Sequence, residues 1–216
     1  MASEAGGSGD DAVPIDRRAE LIELAIELIS DEGLQACTFR RLAERAGTST
    51  RSFTYQFGSR SEMLKAVLER AWDISWPGRL KAERPDELDD PLRAFYEICL
   101  HETEGRSVEH SNAYLEFLKA APFDPEIAEW LNDLDRKMMA LYRDLVAAAQ
   151  RKGQIRNDLD PEDIVTIMWG YEDGVGLGRR AYPEYFTEDR MKRLLNTVFD
   201  SLLGLPAGVR TEGPNR

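Results

Sequence analysis

Between Thr38 and Glu62 the chain reads T-F-R-R-L-A-E-R-A-G-T-S-T-R-S-F-T-Y-Q-F-G-S-R-S-E, and this stretch restricts the possible fold more than any other. A short amphipathic segment ends at Gly47, a second runs from Ser49 to Phe57, and Gly58 breaks the chain before a new helix start. Leu42, Ala43 and Ala46 fall on one side of the first segment. Phe53 and Phe57 stand four apart on the second, so the two segments can pack on each other. Gly47 supplies the permissive backbone that a three- to four-residue turn between such helices demands. Ser49 is placed to cap the second helix. The spacing predicts helix, tight turn, helix.

The outward face of the second helix carries Thr48, Thr50, Arg51, Thr54, Tyr55 and Gln56. These side chains hydrogen-bond and stack, unlike the Glu/Lys coat of an ordinary solvated helix. A first turn of short hydroxyls plus one arginine suits a recognition helix that enters the major groove by its N-terminus. A plain helical hairpin with a polar outer face would share the pattern, and charge favours the first reading. From Arg40 to Arg60 there are five arginines (Arg40, Arg41, Arg45, Arg51, Arg60) against Glu44 alone, in a chain of formal charge −12. Such a local excess is what a phosphate-facing patch requires. The candidate DNA contacts are therefore Thr38, Arg40, Thr48, Ser49, Thr50, Arg51, Ser52, Thr54, Tyr55, Gln56 and Arg60. Arg60, in the first turn of the following helix, is expected to clamp a phosphate.

Helical signals fill the rest of the chain. Asp16 and Gly33 bracket a first helix whose Leu21, Ala25 and Leu28 form one stripe. Arg17 and Arg18 at its start oppose the helix dipole, a cost that a phosphate or solvent could relieve. Ser59 and Glu62 form a capping box for the fourth helix, which Pro77-Gly78 should stop. Asp90-Pro91, Asp124-Pro125 and Asp160-Pro161 each set a capping aspartate before a proline at the first helical position. The fold class expected is all-α: an N-terminal three-helix helix-turn-helix domain and a C-terminal helical ligand-binding and dimerisation domain. The divisions expected are a disordered arm over 1–13, the DNA-binding domain over 14–76, the ligand-binding and dimerisation domain over 77–206, and a tail over 207–216.

Composition excludes several classes. With 31% charged residues and no apolar run near 18 residues, a membrane span is not expected. The small, acidic first residues lack a signal-peptide pattern, so the protein is expected in the cytoplasm. Cys37 and Cys99 fit no disulfide framework or zinc motif, and a buried reduced pair is expected. His101, Glu104 and His110 have no recognisable metal-ligand spacing, so neither metal nor cofactor is expected. No nucleophile elbow or phosphate loop marks an enzyme. An interaction module that has lost DNA binding remains an alternative, because it would suit the acidic total charge.

The run Ala46 to Leu64, A-G-T-S-T-R-S-F-T-Y-Q-F-G-S-R-S-E-M-L, resembles the DNA-binding signature of the tetracycline-repressor-like (TetR) family, roughly A-G-V-S-x-x-T-L-Y-Y-H-F-x-S-K-E-E-L. Gly47, Ser49, Tyr55, Phe57, Ser59 and Glu62 match, and Ser52, Phe53 and Arg60 are conservative replacements. Thr54 and Gln56 depart at positions where the family tends to grip phosphates, and both side chains reach less far. The resemblance is specific over Asp16 to Trp72 and architectural beyond. It implies a homodimer whose last two helices form a four-helix bundle, double-stranded DNA with a palindromic operator as partner, and repression relieved by a small effector in the C-terminal core.

Four glycines in W-G-Y-E-D-G-V-G-L-G-R-R of the eighth helix would each cost about 1 kcal/mol relative to alanine. Close approach of a partner helix would compensate, and a kinked helix buried within one subunit is the alternative. For the effector, Tyr96, Tyr114, Phe117, Trp130, Met138, Trp169 and Glu172 are candidate contacts, and their aromatic character favours an apolar or aromatic molecule. Each could equally be core filling. If Glu172 or the adjacent Asp173 is buried, a cationic or hydroxylated ligand is favoured.

Overall fold

The computed structural model describes residues 16–75, 84–103 and 108–205. The expected arm over 1–13, the Pro77-Gly78 stop, Glu104 and the tail over 207–216 lie outside the described residues, as does the side chain of His101. Among the described residues every regular element is helical: α1 (Arg17–Glu32), α2 (Phe39–Arg45), α3 (Thr50–Phe57), α4 (Arg60–Ser75), α5 (Pro91–Thr103), α6 (Val108–Ala120), α7 (Pro125–Arg151), α8 (Pro161–Ala181) and α9 (Glu188–Leu203).

The starts follow their caps. Asp16 accepts from the Arg18 amide, Thr38 from Arg41, Asp124 from Glu126 and Ile127, and Asp160 from Glu162. Asp90 likewise accepts from the Arg93 amide at 2.9 Å. Each satisfies an amide that the first helical turn leaves without a partner. Ser49 holds the cap position of α3 but its side chain makes no capping bond. Ser59 Oγ accepts from the Glu62 amide at 3.1 Å, the first half of the expected capping box. After α2 and α3 the backbone turns through positive φ, 59° at Gly47 and 75° at Gly58, where a side chain would be strained.

Two apolar cores result. The first joins Leu21, Ala25, Leu28 and Ile29 of α1 to Leu42, Phe53, Phe57, Met63 and Val67, and it extends into α6 and α7 through Ala113, Phe117, Ile127 and Leu131. The Phe53 ring lies 5.9 Å from Phe39 and 6.4 Å from Phe57. Burying Phe53 fully contributes about 1.5–3 kcal/mol. The second core gathers Phe95, Tyr142, Leu145, Ile164, Met168, Leu195 and Phe199 from α5, α7, α8 and α9. Helix α6 packs on both α1 and α4 and so joins the N-terminal helices to the rest of the molecule.

The α8 glycines divide by face. A Cβ at Gly178 would fall 2.5 Å from the Phe186 ring, which therefore sits directly on the helix. A Cβ at Gly176 would meet Leu115 at 3.5 Å. Gly170 and Gly174 have nothing of the chain within 4 Å, so no contact among the described residues accounts for their lack of side chains.

Candidate nucleic-acid interface and effector cavity

Helix α3 is held from behind and bare in front. Phe53 and Phe57 are buried, while Thr50, Arg51, Thr54 and Tyr55 on the other face are exposed, Tyr55 to 86%. An exposed tyrosine ring beside an arginine is poor core material and good material for stacking and hydrogen bonding to a duplex. Arg40 is exposed at the start of α2. Thr38 keeps its hydroxyl proton because the cap uses its oxygen as acceptor, at 3.3 Å from the Arg41 amide.

Several expected contacts are partly committed elsewhere. Thr48 Oγ1 and Ser52 Oγ lie 3.2 Å apart and share a hydrogen bond. Thr54 donates its hydroxyl proton to the Thr50 carbonyl at 3.2 Å, so that proton is spent inside the helix. Ser49 is exposed and Gln56 half-buried. Arg60 sits differently from a phosphate clamp: its Nε donates to the Cys37 carbonyl at 2.7 Å and its Nη2 to the Leu34 carbonyl at 3.0 Å. It fastens α4 to the turn after α1. Burial raises the neighbouring Cys37 thiol to a pKa of about 12 despite the Arg60 charge, which keeps that cysteine an inert thiol.

The positive patch is also smaller than the local sequence count. Arg41 pairs with Glu32 at 2.6 Å, and Arg45 with Asp31 at 3.0 Å, because α1 brings its acidic end against α2. Arg17 pairs with Glu20 at 2.7 Å, and the Arg18 guanidinium lies 5.1 Å from the centre of the Phe57 ring. Intramolecular contacts thus offset the charge that opposes the α1 dipole. Arg40 and Arg51 are exposed beside these paired arginines.

The second site is a cavity of about 70 Å³ between α4, α6, α7 and α8. Of the expected effector contacts, Tyr114, Met138, Trp169 and Glu172 line it. Phe117 and Trp130 belong to the first core, and Tyr96 donates to Asn196 Oδ1 at 2.6 Å in the second. The walls also include Trp72, Tyr142, Tyr171, Asp173, Gly176 and Arg179. Trp72 comes from α4, so a helix of the DNA-facing unit forms part of the cavity wall. No local signal in the sequence pairs it with α8.

The walls combine aromatic rings with carboxylates. Burial raises the pKa of Asp173, against a hydrogen bond from Trp169 that lowers it. Asp135, which accepts from the Tyr114 hydroxyl at 3.2 Å, is raised to about 6, chiefly by burial and further by the Asp173 charge. Two partly desolvated carboxylates, one of them raised further by the charge of the other, favour a positive charge nearby. Aromatic faces add to that preference. Arg179 lines the same cavity, and its buried Nη1 finds no hydrogen-bond partner among the described residues. No group of three or more His, Cys, Asp and Glu among the described residues could hold a metal ion.

A third surface lies on α8 and α9. Ile167, Leu177 and Leu194 are exposed to 51%, 50% and 39%. Ile167, Gly170, Gly174 and Leu177 recur at helical spacing along one exposed side of α8. No helix among the described residues is long and apolar enough to cross a membrane.

Residues 21–67 match the model of bacterial regulatory proteins, tetR family, and residues 89–204 match that of the BetI-type transcriptional repressor, C-terminal. The HTH-type transcriptional repressor KstR2 of Mycobacterium tuberculosis is 26% identical over 148 residues, covering 67% of this chain and 72% of that protein. In backbone the chain is similar to a TetR-family transcriptional regulator from Rhodococcus sp., with a TM-score of 0.76 at 22% identity over 87% of this chain and 98% of that one. It is also similar to a transcriptional regulator from Saccharomonospora viridis solved in complex with choline, with a TM-score of 0.71 at 20% identity over 85% and 95% of the two chains.

Proposed function

This chain belongs to the tetR family of bacterial regulatory proteins, whose members are ligand-responsive DNA-binding transcriptional regulators and not enzymes, and on that premise we propose that it is a homodimeric repressor released from a palindromic operator by a small organic effector. The α3 row of Thr50, Arg51, Thr54 and Tyr55, exposed while Phe53 and Phe57 are buried behind it, is the observation that carries this reading. Arg51 and Thr50 reach base edges, Tyr55, Thr38 and Arg40 hold the backbone, and Arg60 acts mainly by fixing α4 in place. The apolar side of α8, with Gly170 and Gly174 allowing close approach, meets its two-fold copy and α9. A dimer of this kind spaces its recognition helices one duplex turn apart or a multiple, about 34–36 Å per turn, which is why the operator is palindromic.

The effector occupies the cavity between α4 and α8. Trp72, Tyr114, Tyr142 and Trp169 suit an apolar or aromatic body, and Asp173 on the wall, with Asp135 bonded to Tyr114, makes a positively charged group the better complement. The test titrates the purified protein against DNA from upstream of its own gene and against scrambled DNA over a range of salt. Tight, salt-sensitive binding to the first alone is expected, with sedimentation of a dimer. Equal binding to both sequences, or a monomer at micromolar concentration, sinks the proposal. For the effector, choline chloride should raise the melting temperature more than its neutral carbon isostere does.

A further inference from the structure

The last turn of α8 looks two ways. Arg179 lines the cavity, and the next residue, Arg180, reaches out of the opposite side to the DNA-facing unit. Its Nη2 donates to the Ser30 carbonyl in the last turn of α1 at 3.1 Å, and its Nη1 pairs with Glu116 Oε1 of α6 at 2.8 Å. Helix α1 has no basic residue in its last turn and ends on Asp31 and Glu32. The carbonyls at a helix C-terminus lack donors and carry the negative end of the dipole, so a cation there is stabilising. Arg180 provides one from a distant helix.

The junction is tight. Glu116 is only 12% exposed and is shared between Arg180 and Lys119, whose Nζ lies 2.5 Å from Oε1. Its other oxygen lies 3.4 Å from where a Cβ of Gly33, the α1 terminator, would stand. Ser30 is also held through its hydroxyl, which accepts from Asn112 of α6 at 3.3 Å. On the α8 side, the Phe186 ring packs on Gly178 and the Tyr182 amide donates to the Gly178 carbonyl at 2.8 Å, so the segment after the helix is fastened to its last turn. A shift of the cavity wall at Gly176 or Arg179 is therefore delivered to Arg180, one residue on.

We propose that Arg180 is the positioning residue that couples the cavity to the DNA-binding unit, by holding the C-terminal end of α1 against α6 and α8 in the DNA-bound arrangement and letting go when the cavity is filled. This rests on the reading of the cavity as the effector site. An effector that displaces the last turn of α8 pulls the guanidinium from Ser30 and Glu116, and α1 then carries α2 and α3 to a new setting. The coupling is reciprocal, so DNA weakens effector binding by the same factor, of a size in the range of about 5- to 150-fold.

The test needs no knowledge of the effector. A cavity-filling substitution, Gly176→Leu, serves as a permanent occupant, since Gly176 lines the cavity and a Cβ there finds its nearest neighbour, Leu115, at 3.5 Å. Affinity for upstream DNA is measured for the full chain, for G176L, for R180A and for G176L/R180A, with melting temperature and dimer content recorded for each. The expected result is that G176L weakens DNA binding by about tenfold or more in the parent, and by less than about twofold in the R180A background. E116Q, which keeps the shape but loses the charge, should blunt the G176L effect in the same direction, and it stands in if R180A does not fold. A purely structural role would lower the melting temperature and leave the G176L ratio unchanged. An equal ratio with and without Arg180 overturns the role of Arg180 and leaves the cavity reading standing. If G176L alone leaves DNA affinity unchanged in a folded dimer, the cavity reading fails and the role of Arg180 fails with it.

Discussion

The helices that face DNA and the helices around the cavity are built from the same amphipathic material, yet they treat polar groups in opposite ways. Around Phe53 the interior is apolar, and the charges of α1 and α2 are expelled to the surface and paired, Arg41 with Glu32 and Arg45 with Asp31. Around the cavity, Glu172, Asp173 and Arg179 stand among aromatic rings, and Asp135 accepts a hydrogen bond from Tyr114 of the wall. Buried polar groups of this kind cost stability unless something meets them. The first arrangement fills its interior with apolar side chains. The second keeps partly buried charges beside a void, which on the proposed function an effector fills, and Trp72 of α4 forms part of its wall.

The sharpest way to break that contrast is to truncate one aromatic in each region. Phe53→Ala should cost about 3–5 kcal/mol in thermal or urea unfolding and abolish DNA binding, since the site is closed on all sides. Trp169→Ala, at a wall that already borders empty space, should cost less than about half of that. Equal costs would show that both regions are packed alike.

Next in size is Arg60→Ala, which removes two charge-assisted bonds to carbonyls. A loss of about 1.5–3 kcal/mol in stability is expected, with the salt dependence of DNA binding unchanged. A salt slope smaller by about one, at unchanged stability, would instead restore Arg60 as a phosphate contact. Arg51→Ala should leave the melting temperature alone and relax preference at one base position by about 1–3 kcal/mol, read from binding to single-base operator variants. A uniform loss across sequences would reassign Arg51 to the backbone.

The smallest effect separates the regions by pH. The folded pKa of Asp135, about 6, stands above its ordinary value of 3.8. The folded state therefore prefers the proton, and the stability that this group contributes is complete below about pH 4 and lost as pH rises through 6. Asp135→Asn should then raise stability at pH 8 by on the order of 1 kcal/mol, after discounting for partial solvent screening, with the gain vanishing toward pH 4. A gain independent of pH would mean that packing, not charge, is responsible.

Much of the first region was legible because its signals are local. The Asp-Pro starts, Asp16, Gly47 and the Phe53/Phe57 spacing each act within one turn of chain, so their consequences can be read without knowing what lies opposite. The arginine excess near α3 was legible only in part, since Asp31 and Glu32 sit outside the stretch in which the charges were counted. For the cavity, Tyr114, Met138, Trp169 and Glu172 were picked out by residue type, and so were Tyr96, Phe117 and Trp130, which the packing places elsewhere. An aromatic on an inner helix face looks the same in sequence whether its neighbour is a side chain or a void.

By itself the sequence determined which segments are helices, where most of them start, and that α3 turns a hydrogen-bonding face outward, because backbone hydrogen bonding and periodicity are settled within a few residues. Tertiary structure alone decided that Arg60 faces two carbonyls, that Trp72 meets α8 across a cavity, and that Arg180 grips an α1 carbonyl 150 positions away. Those pairings depend on the relative rotation and offset of packed helices. That geometry is fixed by the summed fit of many side chains and is carried by no single stretch of the chain.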